Sequence, residues 1–437
     1  MSDVVAKLSA VVGAERVSDW AAVLQAQQFT TDEVMGAIAS DQPPNAIAFP
    51  SSTPELAQVM ALAAKNHWRV LPTGQGSKLS WGGLAEGVDL VVSTARLNQV
   101  VDHAVGDFTV TVGPGLKVAA LKQILAEQGQ LLAIDPAFAA RATVGGVVAT
   151  ADTGSLRQRY GGLRDMLIGV QFVRYDGEVA RAGGRVVKNV AGYDLMKLMS
   201  GAYGSLGILS ELTFRLYPVQ GNSRSLLLTG TTTAVEKAVA DVRLSGLTPV
   251  ALDILAATML SQAAGDIGLV ARFQGVAAGV EEQTERLQKI ALMHGLSCQQ
   301  LDGTADEDFW RQSAQAIKPD TVLCKVGMRP SAVPALLTLL TEVDPTAQAR
   351  LYGSSGLGWV QMAVAEKRAG QIAGLERLRS HCQQNAGFLS ILQAPKPLKQ
   401  AVDVWGYSGN ALEVMRDIKE KFDPQRILSP GRFVGGL

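Results

Sequence analysis

The sequence of 437 residues predicts an α+β protein with more than one domain. Its length is sufficient for two or three hydrophobic cores, and hydrophobic residues make up 47% of it against 18% charged residues. Residues 45–218 alternate strands and helices around glycine loops. After Pro218 the pattern changes to strand–helix–strand units, which are typical of an antiparallel sheet carrying helices.

The charge and cysteine content exclude several classes of protein. Forty basic residues balance forty acidic ones, so no global field attracts nucleic acid or an anionic membrane. Residues 1–19 lack the pattern of a secretory signal, and no stretch approaches the roughly 18 apolar residues of a spanning helix. Cys298, Cys324 and Cys382 are too far apart for a CxxC motif. We therefore predict a cytoplasmic protein without direct membrane insertion, nucleic-acid partner or iron–sulfur cluster of its own.

The first elements lead into a glycine loop. Residues 1–44 form a predicted helical segment, and a short strand follows at Ala46–Phe49. Ser52-Thr53-Pro54-Glu55 has the hydroxyl cap, early proline and acidic residue of a helix start. The next predicted strand, Arg69–Leu71, leads directly into the loop Pro72–Ser77.

The remaining elements of residues 45–218 are predicted from alternation and turn signals. We predict strands at Leu90–Val92 and Thr109–Val112, and a helix whose buried face includes Val118 and Leu125. Asp176-Gly177 indicates the turn of a hairpin, and Ile208–Leu216 is the last predicted strand.

The second half predicts an α+β domain and a returning tail. Residues 225–255 and 268–301 each have a strand–helix–strand pattern, and residues 321–363 predict a strand, a helix and two strands. Residues 411–432 predict a helix followed by a Pro/Gly-rich segment, which we expect to pack against another domain.

The loop at residues 73–77 is the first candidate binding site. We expect Gly74 and Gly76 to adopt positive φ and to bring backbone N–H groups together, with hydroxyl donors from Thr73 and Ser77. Such a loop suits a pyrophosphate, although a simple strand-ending turn has the same composition.

A second glycine pattern, at residues 113–118, does not predict a nicotinamide dinucleotide site. Pro114 lacks the N–H that such a site needs, and Val118 stands where the third glycine of G-x-G-x-x-G belongs.

Two further segments are candidates, and the paired glycines of the first would allow a flat ring to lie against the backbone. Residues 143–154 combine Thr143, Gly145 and Gly146 with more small residues, which also suits a packed core turn. Residues 203–211 form a glycine turn that enters a strand, which is equally consistent with a β-bulge or the start of a hairpin.

Together these segments resemble a known family. LPTGQGSKLSWGG, DPAFAARATVGGVVAT, RYGGLRDMLIGVQFVRYDGEV and GAYGSLGILSELTFRLYP resemble, in order, the signatures of the vanillyl-alcohol-oxidase (PCMH-type) FAD-binding family. VVKNVAGYDLMKLMSGAYGSLGILSELTF and the terminal DPQRILSPGRF resemble the E subunits of glycolate oxidases.

The resemblance implies a domain organisation. It implies a two-subdomain PCMH-type FAD-binding fold with an α+β cap domain over the flavin. The implied parts are an N-terminal helical segment (1–44), the FAD-binding domain (45–218), the cap (219–397) and a C-terminal segment returning to the FAD domain (398–437).

The resemblance also implies roles for individual residues. The pyrophosphate would be held by Pro72, Thr73, Gly74, Gln75, Gly76 and Ser77. The isoalloxazine and ribityl side would be lined by Pro136, Thr143, Gly145, Gly146 and Thr153. The remaining cofactor contacts, towards the adenine end, would come from Tyr160, Gly161, Gly207 and Ile208.

Two departures from the family pattern predict non-covalent FAD and no metal. The loop Pro72–Ser77 has no histidine, and no cysteine precedes Cys298, so neither usual attachment residue is near. The chain has four histidines, and they lie too far apart in sequence to form a short ligand motif.

Catalytic residues are the least defined part of the prediction. Oxidation of an α-hydroxy acid needs a base for the hydroxyl proton, a cation for the carboxylate and a hydride acceptor. Lys325 and Arg329 are candidate cations, beside Arg272 and Arg311, and Tyr193 is a candidate base. Each also suits a plain structural role, such as an exposed charge on a strand.

Three functions remain open at this point. The resemblance implies an FAD-binding subunit of a complex that oxidises glycolate or another small 2-hydroxy acid, with a catalytic flavoprotein and an iron–sulfur subunit as partners. Association with a membrane would then occur through those partners. The alternatives are a self-sufficient FAD-dependent D-2-hydroxy-acid dehydrogenase and a subunit whose flavin is structural.

Overall fold

A computed structural model describes residues 3–19, 31–184, 193–260 and 267–437. These residues form two compact units. The first contains the described parts of 1–152, 162–218 and 407–437, and the second contains 153–161 and those of 219–406. Residues 1–2 and 20–30 of the predicted helical segment lie outside the described residues, and so does the start, residues 186–192, of the motif at residues 186–214. The predicted domain boundaries stay a prediction.

The strands are numbered along the chain. They are β1 Val17–Asp19, β2 Ala46–Ala48, β3 Val70–Thr73, β4 Leu90–Ser93, β5 Val100–Ala104, β6 Thr109–Val112, β7 Gln130–Leu131, β8 Leu167–Val173, β9 Val179–Gly183, β10 Ile208–Arg215, β11 Tyr217–Pro218, β12 Asn222–Gly230, β13 Ala251–Ala256, β14 Ile267–Gly275, β15 Ser297–Asp302, β16 Val322–Gly327, β17 Gln348–Tyr352, β18 Gly358–Met362 and β19 Phe388–Gln393.

The α-helices flank these strands. Those of the first unit are Asp3–Val12, Thr31–Met35, Thr53–Lys65, Val118–Ala126, Val144–Thr150, Leu163–Met166, Leu195–Met199 and Leu412–Phe422. Those of the second unit are Arg157–Tyr160, Thr232–Leu244, Ala277–Met293, Thr304–Ala314, Val333–Val343, Arg368–Gln384 and Lys396–Ala401.

The first unit contains two larger sheets. One has the order β1-β2-β4-β3, with β2, β4 and β3 parallel and β1 antiparallel to β2. The other is antiparallel, with the order β5-β6-β10-β8-β9. The helix Thr53–Lys65 covers the first sheet with a buried apolar face, and its Ser52 cap accepts the Glu55 N–H at 3.3 Å.

The second unit contains one antiparallel sheet with the order β15-β12-β14-β13-β17-β18-β16-β19. Because side chains alternate along a strand, its two faces differ. Leu252 and Ile254 belong to the apolar core that includes residues of the helices, whereas Asp253 between them points to the other face, which also carries Arg272 and Arg350. The predicted antiparallel α+β pattern after Pro218 is confirmed.

Most predicted elements are confirmed, and three of the differences bear on the first unit's sheets. The N-terminal segment is not all helical, since it contains β1, which pairs with β2 beyond its end. The strand predicted to end at Leu71 continues to Thr73, because β3 follows β4 through Pro72↔Val92 and Thr73↔Ser93. Strand β5 was missed, because its sequence VVDHA alternates poorly.

Candidate functional site

A cavity lies within the first unit, and its walls enclose about 780 Å³ of space that is partly open to solvent. Its walls come from the loop after β3, the start of the helix Val144–Thr150 and the turn before β10. The lining residues are Pro72–Leu79, Thr94, Pro114, Thr143, Gly145, Gly146, Ala149, Thr150, Met199, Ala202, Tyr203, Gly204, Gly207, Ile208, Leu209 and Arg432.

The loop after β3 offers free backbone donors to this cavity. Gly76 has φ +76°, and its carbonyl accepts the N–H of Leu79 at 2.9 Å, which closes the turn. Among the described residues, no acceptor bonds the backbone N–H groups of residues 74–78. Buried N–H groups normally have partners, so this loop has the donors that a bound anion requires.

Gly74 is needed for a different reason than predicted. The expected positive φ is found at Gly76 but not at Gly74, so that prediction was wrong for Gly74. A Cβ at Gly74 would instead lie far inside van der Waals contact with Thr143 Oγ1. Glycine is therefore required there because the loop approaches the opposite wall of the cavity closely.

That wall is the start of a helix, where we had predicted only a small-residue segment or a core turn. Thr143 is the N-cap of the helix Val144–Thr150, and its Oγ1 accepts the Gly146 N–H at 3.2 Å. A Cβ at Gly145 would lie 2.5 Å from Pro114 Cβ. The paired glycines thus allow the first helical turn to pack closely beside the cavity.

The third predicted segment also lines the cavity, through the turn that precedes β10. Gly204 has φ +74°, and Gly207 and Ile208 follow it into the strand. The register of β10 with β8 shifts between Leu209 and Glu211, which is the β-bulge that we weighed as an alternative. This segment therefore lines the cavity and also contains a β-bulge.

Four predicted cofactor residues do not line this cavity. Pro136 belongs to the first unit but is not among the lining residues. Thr153, Tyr160 and Gly161 belong to the second unit, and their cofactor contacts stay a prediction.

Two buried cations in the lining were missed. Lys78 Nζ lies 3.2 Å from Asp152 Oδ2 and donates to the Ala137 carbonyl at 2.9 Å. Burial lowers the pKa of the Lys78 ammonium, and Asp152 partly offsets this effect. Burial also lowers the pKa of the Arg432 guanidinium, to about 10, which leaves it cationic at neutral pH. Their sequence signals are the position of Lys78 directly after the loop and the basic end of Pro430-Gly431-Arg432.

The predicted catalytic residues lie in different environments. Tyr193 is 89% exposed in the first unit. In the second unit, Lys325 is partly buried on β16, on the same sheet face as Arg350, and Arg329 is exposed at the start of a short 3-10 turn.

The other charges of that sheet face are paired with acids. Arg272 Nη2 lies 2.8 Å from Asp306 Oδ2, and Arg350 Nε lies 3.4 Å from the fully buried Asp253 Oδ2. Arg350 and Asp253 were missed, because a charge within an apolar strand gives no sign of its partner in the sequence.

Metal and membrane features are absent from the described ranges. Within them, no three His, Cys, Asp or Glu residues form a group that would hold a metal ion. None of the helices described is both long and apolar enough to span a bilayer. The metal-free site stays a prediction.

Comparison with known families identifies the cofactor. Residues 44–183 match a family described as an FAD-binding domain, and this range contains the loop after β3 and the helix start at Thr143. Residues 44–183 thus form a PCMH-type FAD-binding domain, and the chain is an FAD-dependent oxidoreductase similar to the relatives described next. The free N–H groups, the buried cations and the two closely packed glycine walls fit this large anionic cofactor.

Curated relatives match almost the whole chain. Glycolate oxidase subunit GlcD of Bacillus subtilis is 25% identical over 89% of this chain and 88% of its own length. D-lactate dehydrogenase of Anaerostipes hadrus is 27% identical over 93% and 92%. D-2-hydroxyglutarate dehydrogenase of Xanthomonas citri pv. viticola is 29% identical over 89% of both chains.

A solved structure confirms the fold. p-Cresol methylhydroxylase with substrate bound has a TM-score of 0.76 over 98% of this chain and 96% of its own, at 14% identity. At that identity the similarity concerns the fold alone.

Proposed function

We propose that this chain is the FAD-binding subunit of a complex that oxidises glycolate or a related small 2-hydroxy acid. Its partners would be a catalytic flavoprotein and an iron–sulfur subunit. The main support is similarity along nearly the full length to relatives named for glycolate, D-lactate and D-2-hydroxyglutarate. The motif at residues 186–214 favours the E subunits of glycolate oxidases. We propose a cytoplasmic location, with membrane association through partners.

Within this proposal the cavity of the first unit holds the FAD. The backbone N–H groups of residues 74–78 would bind the pyrophosphate, and the glycines at 145–146 would allow the ring system to approach the helix start. The flavin supplies the acceptor for the hydride that leaves the α-carbon of a hydroxy acid. The chain's own contribution is to hold this cofactor in a fixed position beside Thr143 and Gly207.

We further propose that the FAD is non-covalent. Neither a histidine nor a cysteine is among the described residues that line the cavity. Acid precipitation of the purified protein should therefore release the flavin into the supernatant. Yellow colour that stays with the protein pellet would contradict this part of the proposal.

The substrate site needs a cation and a base. A carboxylate needs a cation, and Lys325 and Arg329 remain our candidates, with Tyr193 as the candidate base. A self-sufficient D-2-hydroxy-acid dehydrogenase is the second candidate function, because two relatives over most of the chain have dehydrogenase names. A structural flavin is the third possibility and has no specific support.

An anaerobic visible spectrum of the purified chain separates these functions. Our proposal predicts a flavin spectrum that stays oxidised with excess glycolate or D-lactate and bleaches once the co-purified partner subunits are present. Bleaching by the chain alone would favour the self-sufficient dehydrogenase. A spectrum that stays oxidised even with the partners would favour the structural flavin.

A further inference from the structure

The carboxyl-terminal segment is bound to both sides of the glycine loop. The N–H of Val70 donates to the Ile427 carbonyl at 2.6 Å, and the N–H of Ser429 donates to the Val70 carbonyl at 2.8 Å. On the far side of the loop, Gly83 N–H donates to the Arg432 carbonyl at 3.1 Å. We call residues 423–433 the clasp, since they join the strand before the loop to the chain after it.

A buried lysine fixes the clasp in position. Lys419 Nζ lies 2.6 Å from Asp423 Oδ2 and donates to the carbonyls of Leu428 and Ser205, each at 2.8 Å. Asp423 in turn accepts the N–H groups of Ile427 and Leu428. A charged network satisfied in this way holds its members in one geometry. The clasp is thus tied to the turn before β10, another wall of the cavity.

Arg432 is the clasp residue that lines the cavity. Only 4% of its surface is exposed, and its Nη2 donates to the carbonyls of Leu79 at 2.5 Å and Trp81 at 3.0 Å. These two carbonyls come shortly after the loop at residues 72–78, and Arg432 lines the same cavity as that loop. The guanidinium is therefore held in the wall of the cavity in which we place the pyrophosphate.

We propose that Arg432 is an FAD-binding residue that contacts the pyrophosphate. Oxidised FAD carries its charge at neutral pH on the pyrophosphate, and the planar guanidinium matches phosphate oxygens. This inference rests on the proposed placement of the pyrophosphate at residues 74–78. The clasp would then supply part of the cofactor site, although it lies more than 350 residues after the glycine loop in the sequence. The hydrogen bond between Arg432 and the Leu79 carbonyl already joins these two segments.

The test compares FAD with riboflavin, which lacks phosphate. FAD would be removed reversibly from the full chain, and the affinity of both ligands would be measured by flavin fluorescence. The Arg432→Gln variant should bind FAD about tenfold more weakly, the effect of losing a charge-assisted hydrogen bond, while its affinity for riboflavin stays near that of the wild type. Arg432→Lys should recover part of the loss, because it restores the charge without the bidentate geometry.

Arg426→Gln is the matched control, since Arg426 is exposed on the same clasp. It should bind both ligands like the wild type. Equal losses for FAD and riboflavin in Arg432→Gln would assign Arg432 a purely structural role, and unchanged FAD affinity would overturn the proposal outright. The oxidation of a hydroxy acid plays no part in this test, so the proposed function stands or fails separately.

Discussion

The two units use glycine and buried charge in different ways. In the first unit, the cavity in which we place the FAD is shaped by backbone, since Gly76 supplies a positive φ and Gly74 a close approach to Thr143. In the second unit, charged side chains such as Arg350 and Asp253 are buried on one face of a sheet. A site shaped by backbone can be recognised in the sequence, because a positive φ or a close approach of two backbones favours glycine. A site made from paired side chains on separate strands leaves no such pattern in the sequence.

The largest expected effect concerns the buried pair of the second unit. Arg350→Met removes the guanidinium that lies 3.4 Å from the fully buried carboxylate of Asp253, to which the Ser155 hydroxyl also donates. Breaking a buried pair from one side costs about 3–5 kcal/mol of unfolding free energy. Denaturant unfolding followed by tryptophan fluorescence would measure it, since Trp310 stacks near Arg350.

The control for this pair is an exposed one. Arg377 lies 2.8 Å from Glu342, with both side chains more than half exposed. Arg377→Met should change the unfolding free energy by less than about 1 kcal/mol. Equal losses of unfolding free energy in Arg350→Met and Arg377→Met would contradict the expected difference between the buried and the exposed ion pair.

The next largest effect concerns the backbone of the first unit. Gly76→Val forces a β-branched residue to φ +76°, a strain of about 3 kcal/mol, which corresponds to an FAD affinity about a hundredfold lower. Flavin content after purification would report it. Gly106→Ala is the control, because a Cβ there meets no atom within 4 Å. A folded Gly76→Val protein with full flavin content would refute the assignment of the loop.

A smaller effect tests whether Gly74 is needed for close approach and Gly76 for its positive φ. Gly74→Ala should weaken FAD binding about tenfold, because the new methyl group displaces Thr143 and the helix start. Adding Thr143→Ala removes the clashing hydroxyl and should restore part of the affinity, although loss of the cap alone costs about 1 kcal/mol of stability. A double-mutant cycle measures this coupling. The same addition should not rescue Gly76→Val, and additive effects at 74 and 143 would disprove the close-approach explanation.

The smallest effect concerns a side chain of the loop. Gln75→Ala should change FAD affinity by less than about threefold, because our account assigns binding to backbone N–H groups and not to this amide. Fluorescence titration with FAD would test it. A tenfold loss would mean that the Gln75 side chain is itself a ligand.

The sequence predicted the first unit better than the second. Gly76, Thr143 and Gly207 were found because their motifs occur in a fixed order along the chain, and all three line the cavity. Lys78 was missed although it follows the loop directly, because a lysine is usually exposed. Arg432 was missed as a lining residue because its contact with Leu79 depends on tertiary packing.

The second unit shows where sequence reasoning stops. Its strands β12–β18 and most of the helices between them were predicted, as in β13, where Leu252 and Ile254 flank Asp253. The pairing of Asp253 with Arg350 was not, because strand register across a large sheet brings distant residues together. For the same reason, the sequence pattern alone does not decide which of Lys325, Arg329 and Tyr193 has a catalytic role.

Hydrogen–deuterium exchange of the cofactor-free full chain, with and without added FAD, tests the central claim most directly. We predict that FAD strongly slows exchange in peptides covering residues 74–78, whose N–H groups bond no described acceptor, and leaves β12 of the second unit unchanged as an internal reference. Stoichiometric FAD binding with unchanged exchange at residues 74–78 would contradict the claim that this backbone holds the pyrophosphate.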